Sequence, residues 1–152
     1  METKQNVKAQ LQQELLSGEY DEIRSLWKVH SIAEDRRDIA GLMSTLTDDC
    51  VYELPQGEHL WQEKAGAEQF YLQLLTAFPD IHFDLENIII GPQGVYELAN
   101  VTATFKEKWL YQMPTNEAIQ FKVNIIFPWD RELKKFKGEI VYIDTYDQLI
   151  SQ

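Results

Sequence analysis

The sequence predicts an α+β domain, a cone-shaped, curved antiparallel or mixed sheet wrapped around N-terminal helices. Three observations predict it. Apolar residues recur at helical three-four spacing through the first half of the chain. From Ile81 onwards apolar and polar residues alternate with period two over long segments. Turn residues then cut those segments into a meander, and helices followed by strands are the α+β signature.

Residues 3–17 read as a leading helix with Val7, Leu11 and Leu15 on a narrow stripe and Gly18 as its stop. That stripe fits packing on the domain or on a partner, so residues 1–18 are set apart from a single domain over 19–152. Glu19, Asp21 and Glu22 place acids in the first turn of a second helix, where they complement its dipole. Its inner face carries Ile23, Leu26, Trp27, His30 and Ala33. A further helix follows with Ile39, Leu42, Met43 and Leu46, for which Asp38 is the N-cap. Thr47, Asp48 and Asp49 break it, Cys50–Leu54 reads as a short strand, and Pro55 and Gly57 end that.

Gly57–Trp61 forms a loop or extra strand at the predicted mouth of the cone. Ala65–Ala77 has the helical pattern again, with Phe70, Leu74 and Leu75 inward, and Phe78-Pro79 stops it. Strands then run over 81–90, 95–109, 119–129 and 136–146, joined by Gly91-Pro92-Gln93-Gly94, Pro114–Glu117 and Asp130–Leu133. In the second of them Val101, Ala103, Phe105 and Trp109 share a face. Ile125, Ile126 and Phe127 make the third strand apolar on both faces, which predicts a homodimer through the outer face of the sheet.

Composition narrows the function classes. At 152 residues, 44% hydrophobic and 12% aromatic, one compact domain is expected. A net charge of -11 excludes a nucleic-acid binder, whose target demands clustered lysine and arginine, and disfavours anionic membranes. The single cysteine, Cys50, permits no intrachain disulfide and reads as a small buried hydrophobe. The first residues lack a signal-peptide core and no apolar run reaches membrane-spanning length, so a cytoplasmic setting is expected. The three histidines share no ligand spacing, so neither a metal nor another cofactor is expected.

Trp27, Asp48-Asp49, Tyr52-Glu53, Phe70-Tyr71, Pro79-Asp80 and Pro114-Thr115, in this order of elements, resemble the nuclear transport factor 2-like superfamily. The resemblance runs from Ile23 to about Leu149 and is closest to the SnoaL-like polyketide cyclase and ketosteroid isomerase-like branch. It implies a cystatin-like roll, an internal pocket for a small hydrophobic, oxygenated molecule, and frequent homodimers. It does not transfer a catalytic set. The steroid isomerases' general base falls at Leu54, which moves no proton. Their phenolic donor falls at His30, and their protonated acid at Val123 or Asn124. The cyclases' aspartate on that strand is missing, and so is the arginine between two aspartates of epoxide-hydrolysing relatives. The dehydratases' paired histidines are left open by His30, His59 and His82.

The residues themselves nominate His30, Glu53 and Asp144 as catalytic. His30 sits on the inward helical face with Glu34 one turn on, a pattern suited to acid–base work at neutral pH. Glu53 and Tyr52 alternate, so only one of them faces inward. Asp144 faces inward if Ile140 and Tyr142 do, and outward if Val141, Ile143 and Thr145 do. Trp27, Glu34, His59, Trp61, Tyr71, Trp109, Asn124 and Tyr142 are the expected ligand contacts. Three functions compete: a proton-transfer enzyme of the isomerase, cyclase or dehydratase type, a ligand-binding or association module without turnover, and a purely structural homodimer with a filled cone.

Overall fold

The structure, a computed structural model, describes residues 2–144. Four helices and six strands follow one another as α1 (Glu2–Gln12), α2 (Glu19–Asp35), α3 (Ile39–Met43), β1 (Leu46–Leu54), β2 (His59–Gln62), α4 (Glu63–Ala77), β3 (His82–Gly91), β4 (Gly94–Thr104), β5 (Ala118–Asp130) and β6 (Lys135–Ile143). The strands form one sheet in the order β2-β1-β6-β5-β4-β3. Every neighbouring pair is antiparallel except β1 and β6, which run parallel. The curved sheet is not closed into a barrel, since β2 and β3 remain its edges.

The helices hold where the sequence gives them caps and an apolar stripe. Asp38 caps α3 by accepting from the Gly41 amide at 2.9 Å. Ile23, His30 and Ala33 of α2, and Ala67, Phe70, Tyr71 and Leu74 of α4, turn into the concave side of the sheet. There they meet Val95, Ala99 and Val101 of β4, Phe121, Val123, Ile125 and Phe127 of β5, and Phe136 of β6 in one core.

Several expectations are corrected. The leading helix ends at Gln12, well short of residue 17, and its stripe finds no cover: Leu11 is 79% exposed. Gly18 does not stop it but serves as the left-handed N-cap of α2. Thr47–Asp49 belong to β1, because backbone pairing with β6 begins at Leu46. The strand predicted to reach Trp109 stops at Thr104, and Phe105 and Lys106 turn off to bond Glu117 and Ala77. Not every expectation changes: Ile125 and Phe127 face the core and Ile126 the outer side, so this strand is apolar on both faces. Thr145 and Tyr146, at the predicted end of β6, lie outside the described residues.

One bulge decides what the last strand presents. β6 carries one more residue than β5 between the pairs Ile126–Ile140 and Trp129–Phe136. Gly138 absorbs it with φ 120, and a Cβ there would lie 1.8 Å from the Val51 carbonyl oxygen. Phe136 and Glu139 therefore both face inward although they are three residues apart.

Candidate functional site

Beneath the sheet a buried polar chain crosses the core. His30 of α2, 2% exposed, places Nδ1 2.8 Å from Thr45 Oγ1. The Thr45 hydroxyl donates to the Leu42 carbonyl at 2.7 Å, so it can only accept from the imidazole, and Nδ1 carries a hydrogen. On the other side Nε2 lies 3.1 Å from Glu139 Oε2. Two lone pairs would repel at that distance, so a proton lies between them, borne by the imidazole or by the carboxyl. The pair can shift that proton without changing its total charge.

Two phenols complete the chain. Tyr71 Oη of α4 donates to Glu139 Oε2 at 2.6 Å and lies 3.1 Å from His30 Nε2. Tyr52 Oη of β1 lies 2.7 Å from Tyr71 Oη, whose hydrogen is committed to Glu139, so Tyr52 is the donor. Burial, reinforced by the Glu139 charge, holds both phenols well above their ordinary pKa, so both stay protonated.

Two compartments flank this chain. An apolar one, a cavity of about 30 Å³, is walled by Leu54, Phe70, Trp109, Phe121, Val123 and Val141. A more polar one of about 50 Å³ is bordered by Trp27, His30, Asp35, Glu97 and Phe127. Glu139 lines the first and His30 the second, while Glu34 and Phe83 line both. The hydrogen-bonded pair thus stands between the two.

Among the described residues no lysine or arginine lines either compartment, whereas three glutamates do. The electrostatic result follows. Burial first, then the charge of Glu139, pushes the Glu97 carboxyl up to about 8, against a hydrogen bond from Trp27 that acts the other way. The same two causes, in the same order, put Glu34 well above the ordinary carboxylate range, with Glu97 adding to them. Glu97 is therefore mostly a neutral acid at pH 7, able to donate a hydrogen bond, and Glu34 is shifted in the same direction. The described residues contain no group of three or more histidine, cysteine or acidic side chains arranged for a metal ion.

The structure brings together Trp27, His30, Glu34, Tyr71 and Trp109 around the compartments. It sends the other predicted site residues elsewhere. Tyr52 takes the inward position, so Glu53 lies on the opposite face of β1. On β6 Val141 and Ile143 face inward, leaving Tyr142 41% exposed and Asp144 outside, bonded to the Lys122 amide at 2.8 Å. Asn124 is on the outer face of β5, where it accepts from Tyr96 Oη at 2.5 Å, and the inward position of that register is Val123. His59 and Trp61 sit on the edge strand β2 and line neither compartment. His59 packs on Tyr111 at 5.3 Å between ring centroids, and Trp61 on Phe70 at 5.0 Å.

Sequence reasoning missed Glu97, Glu139, Tyr52 and Thr45. For Glu97 a signal existed: it has the same parity as Val101 and Ala103, an acid on the apolar side of an alternating strand. Tyr52 was one of two open choices. Glu139 has the parity of Val141 and Ile143, so it too was one of two open choices.

A model of the SnoaL-like domain matches residues 29–133, more than half of the chain. Among solved structures, a protein assigned as a SnoaL-like polyketide cyclase from Shewanella denitrificans superposes with a TM-score of 0.71 at 15% identity, covering 86% of this chain and 98% of that one. An NTF2-like protein of unknown function from Burkholderia pseudomallei gives 0.71 at 14% identity, with the same coverage. AclR from Streptomyces galilaeus, assigned as a hydroxylase, gives 0.67 at 20% identity, over 82% of this chain and 90% of that one. At these identities the likeness speaks for the fold. No curated protein matches. No described helix is long and apolar enough to cross a membrane. The matched model and the shared roll agree: the chain belongs to the SnoaL-like domain family.

Proposed function

We propose that the cavity binds a small hydrophobic, oxygen-bearing molecule and exchanges a proton with it through the Glu139–His30 pair. The observation that supports this most is a shared proton held between two buried groups at the junction of an apolar and a polar compartment. The partners of this buried carboxylate are a phenol and a histidine able to give up its proton, in place of the permanent cation of a lysine or arginine.

In this reading the ligand lies in the apolar compartment. The hydrogen bonds from Tyr71 and His30 converge on Glu139 Oε2, which leaves Oε1 to meet a carbon-bound hydrogen next to a carbonyl. As Glu139 accepts that proton, His30 keeps its own, and the carboxyl of Glu34, which burial makes a stronger holder of its proton, is the donor for the oxygen on which charge develops. Reprotonation by Glu139 on the same or a neighbouring atom completes an isomerisation or an exchange. Leu54 occupies the place of the isomerases' base, so the acid that acts comes from β6 instead.

The test uses an enolisable bicyclic ketone, 2-tetralone, in deuterated buffer. The wild type is expected to accelerate deuterium entry at the carbon beside the carbonyl. Glu139→Gln should slow it by about 100-fold or more, the usual size of a general acid–base contribution, with binding retained. Equal exchange rates for wild type and variant would remove the acid–base role and leave a binding module.

A further inference from the structure

We propose that Thr45 is a positioning residue that fixes the number of protons on the Glu139–His30 pair at two, one held on His30 Nδ1 and one shared with Glu139. This rests on reading that pair as the proton site, but it requires no turnover.

Thr45 is buried between α3 and β1 and tied to both sides of the pair. Its amide and its hydroxyl both donate to the Leu42 carbonyl, at 3.1 and 2.7 Å. Its own carbonyl accepts from the Phe136 amide at 2.9 Å, three residues before Glu139 on β6. One residue thus joins the strand that carries the carboxyl to the ring that the carboxyl faces. The hydroxyl hydrogen is committed to Leu42, so only lone pairs remain to meet His30 Nδ1 at 2.8 Å. Phe127 and Phe136 stand edge-on to the imidazole, with ring centroids at 5.3 and 6.3 Å, and keep it from turning over.

A neutral histidine paired with a carboxylate ordinarily carries its one hydrogen on the nitrogen that faces the carboxylate and leaves the other bare. Thr45 removes that option. A bare Nδ1 would set lone pairs against each other at 2.8 Å inside the core. With one hydrogen held there, the 3.1 Å contact between Nε2 and Glu139 Oε2 needs a second, and only the second is mobile. The other titratable groups around the pair do not replace it. Tyr71 on α4 commits its hydrogen to Glu139, and Tyr52 on β1 donates to Tyr71. Glu34 on α2 and Glu97 on β4 repel a charge on Glu139, which favours the proton staying. A valine in place of Thr45 would fill the same space and offer no lone pair.

The experiment labels the histidine side chains with ¹⁵N and reads the protonation of each ring nitrogen from long-range ¹H–¹⁵N correlations at pH 7.5. The chain has three histidines, and His59→Gln and His82→Gln assign the two outside the pair. Wild type is expected to show His30 Nδ1 protonated, and Thr45→Ser should match it. Thr45→Val should move His30 to the opposite tautomer, Nδ1 bare and Nε2 protonated, with one proton fewer on the pair. The folded wild type then binds one proton more than folded Thr45→Val, while the unfolded chains bind the same number. The wild-type advantage in the unfolding constant should therefore shrink about tenfold per pH unit as pH rises through 7 to 8, and Thr45→Ser should run parallel to wild type. A bare Nδ1 in wild type, a protonated Nδ1 in Thr45→Val, or parallel pH curves for those two would each overturn the proposal. The wild-type spectrum is read without a variant, so misfolding of Thr45→Val does not spare the idea. A wild type that exchanges no deuterium into 2-tetralone yet keeps Nδ1 protonated would remove the reaction and leave this proton count standing, so the two failures are separate results.

Discussion

The molecule buries acids in two places and treats them in opposite ways. At the start of α2, Glu19 is 3% exposed and carries a full set of partners. Arg131 grips it with Nε at 2.6 Å and Nη2 at 2.8 Å, Trp129 Nε1 donates at 3.3 Å, and the Leu16 amide closes the turn at 3.1 Å. The arginine hydrogen bond is the main reason its carboxyl sits below the ordinary range. In the cavity, Glu34, Glu97 and Glu139 share one another's repulsion with no lysine or arginine among the lining residues. There the carboxyls of Glu34 and Glu97 rise. The difference separates two uses of one side chain. The Glu19 pair ties the linker before α2 to the β5–β6 turn, whereas the cavity acids are left in a state that disfavours folding and favours proton exchange.

The largest expected effect breaks the geometry that admits Glu139. Gly138→Ala places a methyl group against the Val51 carbonyl at a φ that alanine rarely adopts. We expect a loss of about 4 kcal/mol in urea unfolding, from overpacking and backbone strain together. A fully stable alanine variant would mean that the bulge is not what turns Glu139 inward.

Next in size is the closed end. Glu19→Gln removes charge from a bidentate pair whose arginine is partly solvated, and should cost about 2 kcal/mol at pH 7. Because the folded carboxyl is depressed, this contribution is present above the ordinary value of 4.5 and is lost as pH falls below it. The difference between wild type and variant should therefore shrink in acid.

The cavity should answer with the opposite sign and a smaller size. Folded Glu97 holds its proton to about 8, whereas the unfolded chain releases it near 4.5. Between those values the folded state binds the extra proton, so stability falls as pH rises through that window and levels off above it. Glu97→Gln removes this dependence and should stabilise the protein by about 1 to 2 kcal/mol at pH 8, read by thermal unfolding. Destabilisation at pH 8 would show that a counter-charge reaches Glu97 after all.

These contrasts also mark what the sequence discloses. Periodicity placed α2 and α4 and the strands β3 and β5 to within a few residues, because each stripe or alternation is local. His30 was legible for the same reason: it repeats the spacing of Trp27 and Glu34. Glu97 was equally legible by parity and went unread. Glu53, Asp144, Asn124 and Tyr142 went to the outer face because a period-two pattern gives two faces but not which is inside; that depends on packing against helices far away in the chain. Glu139 shares the parity of Val141 and Ile143 and so depended on the same unresolved choice of face; the Gly138 bulge only breaks its parity with Phe136. The course of the chain from Phe105 to the buried Trp109 depends on where β4 stops, and a continuing alternation in sequence conceals that stop.

The central claim is that the cavity keeps a neutral acid, Glu97, where the closed end keeps an ionised one, Glu19. It is tested most directly by ¹³C NMR of the glutamate side-chain carboxyl carbons, titrated from pH 4 to 9, with Glu97→Gln and Glu19→Gln to assign the two signals. The account predicts a Glu97 signal that titrates near 8 and a Glu19 signal already ionised above 4.5. If the Glu97 signal titrates in the ordinary carboxylate range alongside the surface acids, the cavity is not the proton-holding site described here.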